Sequence, residues 1–74
     1  MSMPMVGSWV VVVNAVRPFA IHGDGYLELH VTNEADGSQH LVRVPGHATA
    51  GPVAAGDRVT LTFLMGQVTE VRPA

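Results

Sequence analysis

Residues 26–44, YLELHVTNEADGSQHLVRV, contain two runs of alternating apolar and polar side chains, separated by an Asp-Gly pair. Alternation with a period of two is typical of a β-strand with one buried and one solvated face. Asp36 and Gly37 are preferred at the centre of a two-residue type I′ turn, because both central residues of that turn need positive φ. This stretch therefore predicts an antiparallel hairpin.

The Asp-Gly turn also predicts a register for the hairpin. Counting outward from the turn brings apolar residues opposite apolar residues, as a shared buried face requires. The predicted cross-strand pairs are Val31–Val42 and Leu29–Val44 on the buried face, and Thr32–Leu41 and His30–Arg43 on the solvated face.

Three further strands are predicted around this hairpin. The first covers residues 8–17 and is stopped by Pro18, with a loop over residues 19–25. The fourth covers residues 57–65 and the fifth covers residues 67–72. Val68 and Val71 reach one face only if a β-bulge lies near Thr69 or Glu70. Inward side chains predicted for the fourth strand are Val59, Leu61, Phe63 and Met65.

The composition agrees with an all-β chain. Thirteen valines against five leucines favour strands, because β-branched side chains pack well on a pleated sheet. Residues 47–56 predict a connector with at most one helical turn, and residues 1–7 predict a loose tail. The 74 residues have room for one domain, which we assign to residues 8–74.

The order of these elements resembles the OB-fold, a small five-stranded Greek-key barrel with little or no helix. The stretch that carries the resemblance is Gly56-Asp57-Arg58-Val59, followed by Gly66-Gln67-Val68 and Val71-Arg72-Pro73. It is similar to the "G-D-x-V... G-x-V... V-x-P" ending of OB domains in single-strand-binding proteins. The resemblance implies a ligand surface on the second and third strands, where bases stack on aromatic side chains.

One predicted surface carries side chains suited to single-stranded nucleic acid. With Phe63 in the core, Trp9, Phe19 and Tyr26 are left as aromatic residues that could stack on bases. The predicted binding residues are Arg17, Phe19, Tyr26, His30 and Arg43, with Leu41 beside them. The alternative is an ordinary solvated sheet, in which Arg43 pairs with Glu28 or lies over Tyr26.

Metal and catalytic sites are not predicted. Zinc sites need three or four converging ligands, whereas the four histidines lie seven to ten positions apart. Cysteine is absent, and neither Ser8 nor Ser38 has a partner base that the pattern indicates. We therefore expect no enzyme, no cofactor and no metal.

The charge balance limits the function further. Four arginines, no lysine and six acidic residues give a net charge of −2, so any contact with nucleic acid must be short-ranged and weak. The rival interpretation is a protein-interaction or assembly module without a nucleic-acid ligand. A chain this small with 47% apolar residues is also expected to form a homodimer, through its valine-rich first strand, Leu41 or Leu64. With neither a secretion signal nor a membrane segment in the sequence, we expect a cytoplasmic protein.

Overall fold

The computed structural model describes residues 6–74, which form five β-strands and one short 3-10 turn. The first element begins at Val6, so Val6 and Gly7 belong to a strand and not to a tail. The rest of the predicted tail, residues 1–5, lies outside the described residues. The elements are β1 (Val6–Ile21), β2 (Asp24–Asn33), β3 (Gln39–Pro45), the 3-10 turn (Gly46–Ala48), β4 (Arg58–Leu64) and β5 (Gln67–Pro73).

All five strands belong to one antiparallel sheet in the order β3-β2-β1-β4-β5, which confirms the all-β prediction. The predicted barrel is not closed: within residues 6–74, β3 and β5 are the two edges of the sheet. β5 is paired along part of its free edge with the connector that follows β3. There, Thr49 forms a parallel bridge to Val71. The backbone N–H of Ala50 also donates to the carbonyl of Val71, at 2.9 Å.

A valine-rich core lies on the inner face of the curled sheet. It is built from all five strands, so that each strand covers part of the others. Its buried residues are Val11, Val13, Leu29, Val31, Val42, Val44, Val59, Leu61, Phe63, Val68 and Val71. The one helical turn in residues 6–74 is far too short to cross a membrane.

A β-bulge at Asn14 changes which residues of the first strand face the core. Val13 pairs with Val31 and Ala15 pairs with His30, which leaves Asn14 as the extra residue. The bulge shifts the alternation by one position, so that Val16 reaches the core side together with Val11 and Val13. The side chain of Asn14 donates a hydrogen bond to the hydroxyl of Thr32, at 2.8 Å.

The prediction that Pro18 ends the first strand is wrong. Pro18 pairs with Leu27, and β1 continues to Ile21. In the described chain β1 pairs with β4 only as far as Val12, so Pro18 lies at an edge, where a strand tolerates a missing N–H. The predicted loop over residues 19–25 shrinks to a two-residue turn at His22 and Gly23, both with positive φ.

The predicted β2–β3 register is wrong by two positions. Leu29 pairs with Val42, and the pair Asn33–Ser38 closes a four-residue turn in place of the predicted two-residue one. Two features favour the longer turn: Gly37 has positive φ whereas Asp36 does not, and the side-chain oxygen of Asn33 accepts the N–H of Ala35. Because the shift is even, every side chain keeps its predicted face.

The β4–β5 hairpin corrects one prediction and confirms another. Met65 was expected in the core, but it lies in the turn with φ of 53° and is 73% exposed. Gly66 follows with φ of 76°, so the two residues form a tight turn of left-handed backbone. In β5 the pairing passes from Val68 to Glu70 and skips Thr69, which places the bulge where it was predicted.

Candidate functional site

The outer face of β1, β2 and β3, on the side away from the core, presents three rows of side chains across the sheet. All five residues predicted to bind nucleic acid lie on it. The strand register makes the residues of each row direct neighbours. The rows are Phe19, Tyr26 and Pro45; Arg17, Glu28 and Arg43; and Ala15, His30 and Leu41.

The first row contains a stacked aromatic pair. The rings of Phe19 and Tyr26 lie 5.5 Å apart, centroid to centroid, with 19° between their planes. The guanidinium carbon of Arg43 lies 5.8 Å from the centroid of Phe19, within the range of a cation–π contact. We call this stacked pair, with the cation of Arg43 over Phe19, the aromatic platform.

The second row alternates positive, negative and positive charge. Glu28 lies between Arg17 at 4.0 Å and Arg43 at 3.4 Å. The sequence alternative that paired Arg43 with Glu28 is therefore seen, although Arg43 lies over Phe19 and not over Tyr26. Sequence reasoning missed the second partner, Arg17, and with it the central position of Glu28.

An open cleft of about 550 Å³ adjoins the aromatic platform. One wall comes from the outer face and the other from the start of β5, where the sheet is not closed. The first wall includes Phe19, Tyr26 and Leu41, and the second consists of Gly66, Gln67 and Val68. A planar apolar group that stacks on the platform would have this cleft beside it.

The third row gives His30 a different neighbour from the predicted one. His30 pairs with Leu41 across the β2–β3 ladder, while Arg43 pairs with Glu28 one row away. His30 and Leu41 are both exposed. The imidazole is accessible beside the charged row, and Leu41 extends the apolar surface toward the cleft.

Trp9, one of the three aromatic residues expected to be available for stacking, lies on the inner face. Its ring contacts those of Phe63 at 4.8 Å and His40 at 4.7 Å, centroid to centroid. Trp9 pairs with the buried Leu61 across β1 and β4, which explains its direction. It closes one end of the core and does not belong to the outer face.

At the end of the β2–β3 turn, Ser38 lies beside His40 of β3, a pair that the sequence pattern did not indicate. The hydroxyl of Ser38 lies 2.7 Å from Nε2 of His40 and donates to the carboxylate of Asp36 at 2.6 Å. Hydrogen bonds from the Ser38 hydroxyl and N–H hold the pKa of Asp36 below its ordinary value. A hydroxyl whose proton goes to a carboxylate is not activated by the histidine, so the network stabilises the turn.

The other two arginines are also paired with glutamates, on the β4–β5 half of the sheet or at its border. Arg58 is hydrogen-bonded to Glu34, which raises the pKa of Arg58, and Arg72 lies 3.0 Å from Glu70. Each of the four arginines thus faces a carboxylate. In residues 6–74, no three His, Asp or Glu side chains come together as metal ligands would.

Comparison with known proteins identifies no relative with a known function. The chain matches no family model, and neither the curated proteins nor the solved structures contain a significant match.

Proposed function

We propose that the outer face of β1, β2 and β3 binds single-stranded nucleic acid, weakly and through its bases. The observation that carries the proposal is the stacked pair Phe19–Tyr26, with Arg43 above it and an open apolar cleft beside it. Exposed aromatic platforms bind single strands because every base has a π-face, and duplex bases are already stacked on each other. Arg17 and His30 extend the surface along the direction of the strands.

The strand arrangement supports the OB-like part of this proposal. An OB-fold is a partly open five-stranded barrel that binds ligands on strands two and three and on the loops flanking them. Here the aromatic platform includes Tyr26 of β2, and the cleft reaches the β4–β5 turn at Gly66. Membership of the OB superfamily stays a proposal, as does the cytoplasmic location.

Fluorescence anisotropy with labelled single-stranded DNA, single-stranded RNA and duplex DNA tests the binding. We expect both single strands to bind more tightly than the duplex. The slope of log K against log salt should be shallow, about −0.7 for each phosphate that the protein neutralises, with at most two or three phosphates involved. Absence of binding to all three probes at low salt would refute the proposed function.

A second candidate function, an assembly module, is favoured by a separate apolar patch. Val6 and Leu64 form a cross-strand pair on the outer side of β1 and β4, and Met65 follows in the turn. All three side chains are exposed. The valine-rich part of β1 proposed for this role is less available, because Val11 and Val13 are fully buried. A second copy of the chain could cover the patch around a two-fold axis.

Light scattering coupled to size exclusion tests this assembly. At micromolar concentration we expect about twice the 7.8 kDa mass of one chain. Leu64→Glu should return the mass to that of a monomer, because a charge cannot be buried unpaired in an apolar contact. Leu41→Glu, on the other exposed apolar surface, is the matched control and should leave the mass unchanged. A mass near 7.8 kDa across a tenfold dilution series would contradict the dimer.

A further inference from the structure

The charged row of the outer face encloses a small depression of about 220 Å³, lined by Arg17, Phe19, Glu28 and Arg43. Two guanidinium groups that converge on one point make a site for an anion, since each presents several N–H donors to oxygen. The carboxylate of Glu28 already lies at that point. The depression thus holds an anion that belongs to the protein itself.

We propose that Glu28 is an internal substitute for a phosphate, which holds Arg17 and Arg43 and thereby makes this face select bases over backbone. The inference rests on the proposed function and names the residue that sets the ligand class. A phosphate that enters the depression has to displace the carboxylate and is repelled by it. A base that contacts the rings of Phe19 and Tyr26 carries no negative charge, so it does not compete with Glu28 for either arginine.

Burial and distance agree with a displaceable contact. The side chain of Glu28 is only 18% exposed, whereas those of Arg17 and Arg43 are 81% and 69% exposed. Glu28 is therefore held in place by its surroundings, while both exposed arginines are free to move to a ligand when the carboxylate is removed. The two ion-pair distances, 4.0 and 3.4 Å, are longer than those of a strong charge-assisted hydrogen bond. Phosphate oxygens can therefore bind the two arginines once the charge of this carboxylate is removed or screened.

The test compares Glu28→Gln with wild type on two labelled ten-nucleotide probes, oligo(dT) and an abasic strand that carries phosphates without bases. This length is within the roughly 4 to 16 nucleotides that one OB domain covers. Wild type should bind oligo(dT) and hardly bind the abasic strand. Glu28→Gln should bind the abasic strand more tightly at low salt, by about three- to tenfold, because one like charge is removed from the phosphate path. Its affinity for oligo(dT) should rise by a smaller factor, so that the preference for bases over backbone falls. Its salt slope should steepen by about 0.7 for each phosphate gained.

Glu70→Gln is the matched control, because it makes the same change of charge beside Arg72 on the other half of the sheet. It should leave both affinities near those of wild type. Glu28→Thr replaces the carboxylate by a residue that favours β-strands. It should raise the affinity for the abasic strand, as Glu28→Gln does. Circular dichroism verifies that each variant is folded.

Three outcomes would overturn the inference. Weaker binding by Glu28→Gln and Glu28→Thr would show that the carboxylate orders the arginines for the ligand. An equal gain in affinity by Glu70→Gln would show that the effect comes from the net charge of the protein and not from the position of Glu28. Unchanged binding by Glu28→Gln, with oligo(dT) still bound by wild type, would refute this inference and leave the proposed function intact. Conversely, a gain on the abasic strand when wild type does not bind oligo(dT) would support the role of Glu28 and refute the proposed function.

Discussion

Phe63→Ala should destabilise the fold by about 3–5 kcal/mol, the usual cost of removing a buried ring without refilling its space. Phe63 is 1% exposed and contacts the ring of Trp9, so the cavity would open at one end of the core. The total stability of a domain this small is on the order of 5–10 kcal/mol. The loss therefore corresponds to a fall in Tm of roughly 15–30 °C. Thermal and urea unfolding followed by circular dichroism measure it.

Ile21→Ala is the control for this prediction. Ile21 is as large as a core aliphatic residue but is 47% exposed at the end of β1. Its removal should cost less than about 1 kcal/mol, as for most exposed positions. If Ile21→Ala destabilised the chain as much as Phe63→Ala does, the inner and outer faces would be assigned incorrectly.

The largest expected effect on binding comes from the aromatic platform. Phe19→Ala and Tyr26→Ala should each weaken single-strand binding by about 1–3 kcal/mol, the usual contribution of a stacked base. This energy corresponds to a loss of roughly five- to 150-fold in affinity. The double variant should bind no better than the background measured with duplex DNA. Anisotropy with the single-stranded probes gives both results.

Two conservative variants separate stacking from other causes. Tyr26→Phe keeps the ring and should bind like wild type, whereas Phe19→Leu keeps an apolar side chain without a ring and should bind like Phe19→Ala. Both positions are on the outer face, so these variants are expected to fold. A loss of binding in Tyr26→Phe as large as in Tyr26→Ala would show that the hydroxyl, and not the ring, holds the ligand.

The local sequence patterns predicted which face of the sheet each side chain occupies better than they predicted which residues pair across the strands. Alternation places Tyr26, His30 and Arg43 outward whatever the turn, because side-chain direction has a period of two. The choice of turn depends on whether Asn33 uses its side chain to accept the N–H of Ala35. Asp-Gly alone does not reveal that hydrogen bond, and the register was therefore predicted two positions away.

That error left the pair of Arg43 and Glu28 as an alternative only, and the charged row of three residues was not predicted. In the predicted register Arg43 faces His30, whereas in the structure it faces Glu28. The position of Arg17 depended in addition on β1 continuing through Pro18, which a local pattern argues against. The pairing of Glu28 with two arginines is thus a property of three strands together. By contrast, the bulge at Thr69 was predictable, since Val68 and Val71 impose it within a few residues of each other.

The central place of β1 has a consequence for how the chain acquires its fold. β1 directly precedes β2 in the chain, so the two can pair as soon as the short turn at His22 and Gly23 has formed. The other edge of β1 can pair only after β4 has been synthesised, because Val6 pairs with Leu64 and Val12 pairs with Arg58. The three strands of the outer face form a local meander, whereas the β1–β4 ladder closes a long loop and is the slow step that contact order predicts. Until it closes, about half of β1 offers an unpaired edge to other chains, and we expect the chain to be prone to aggregation at that stage.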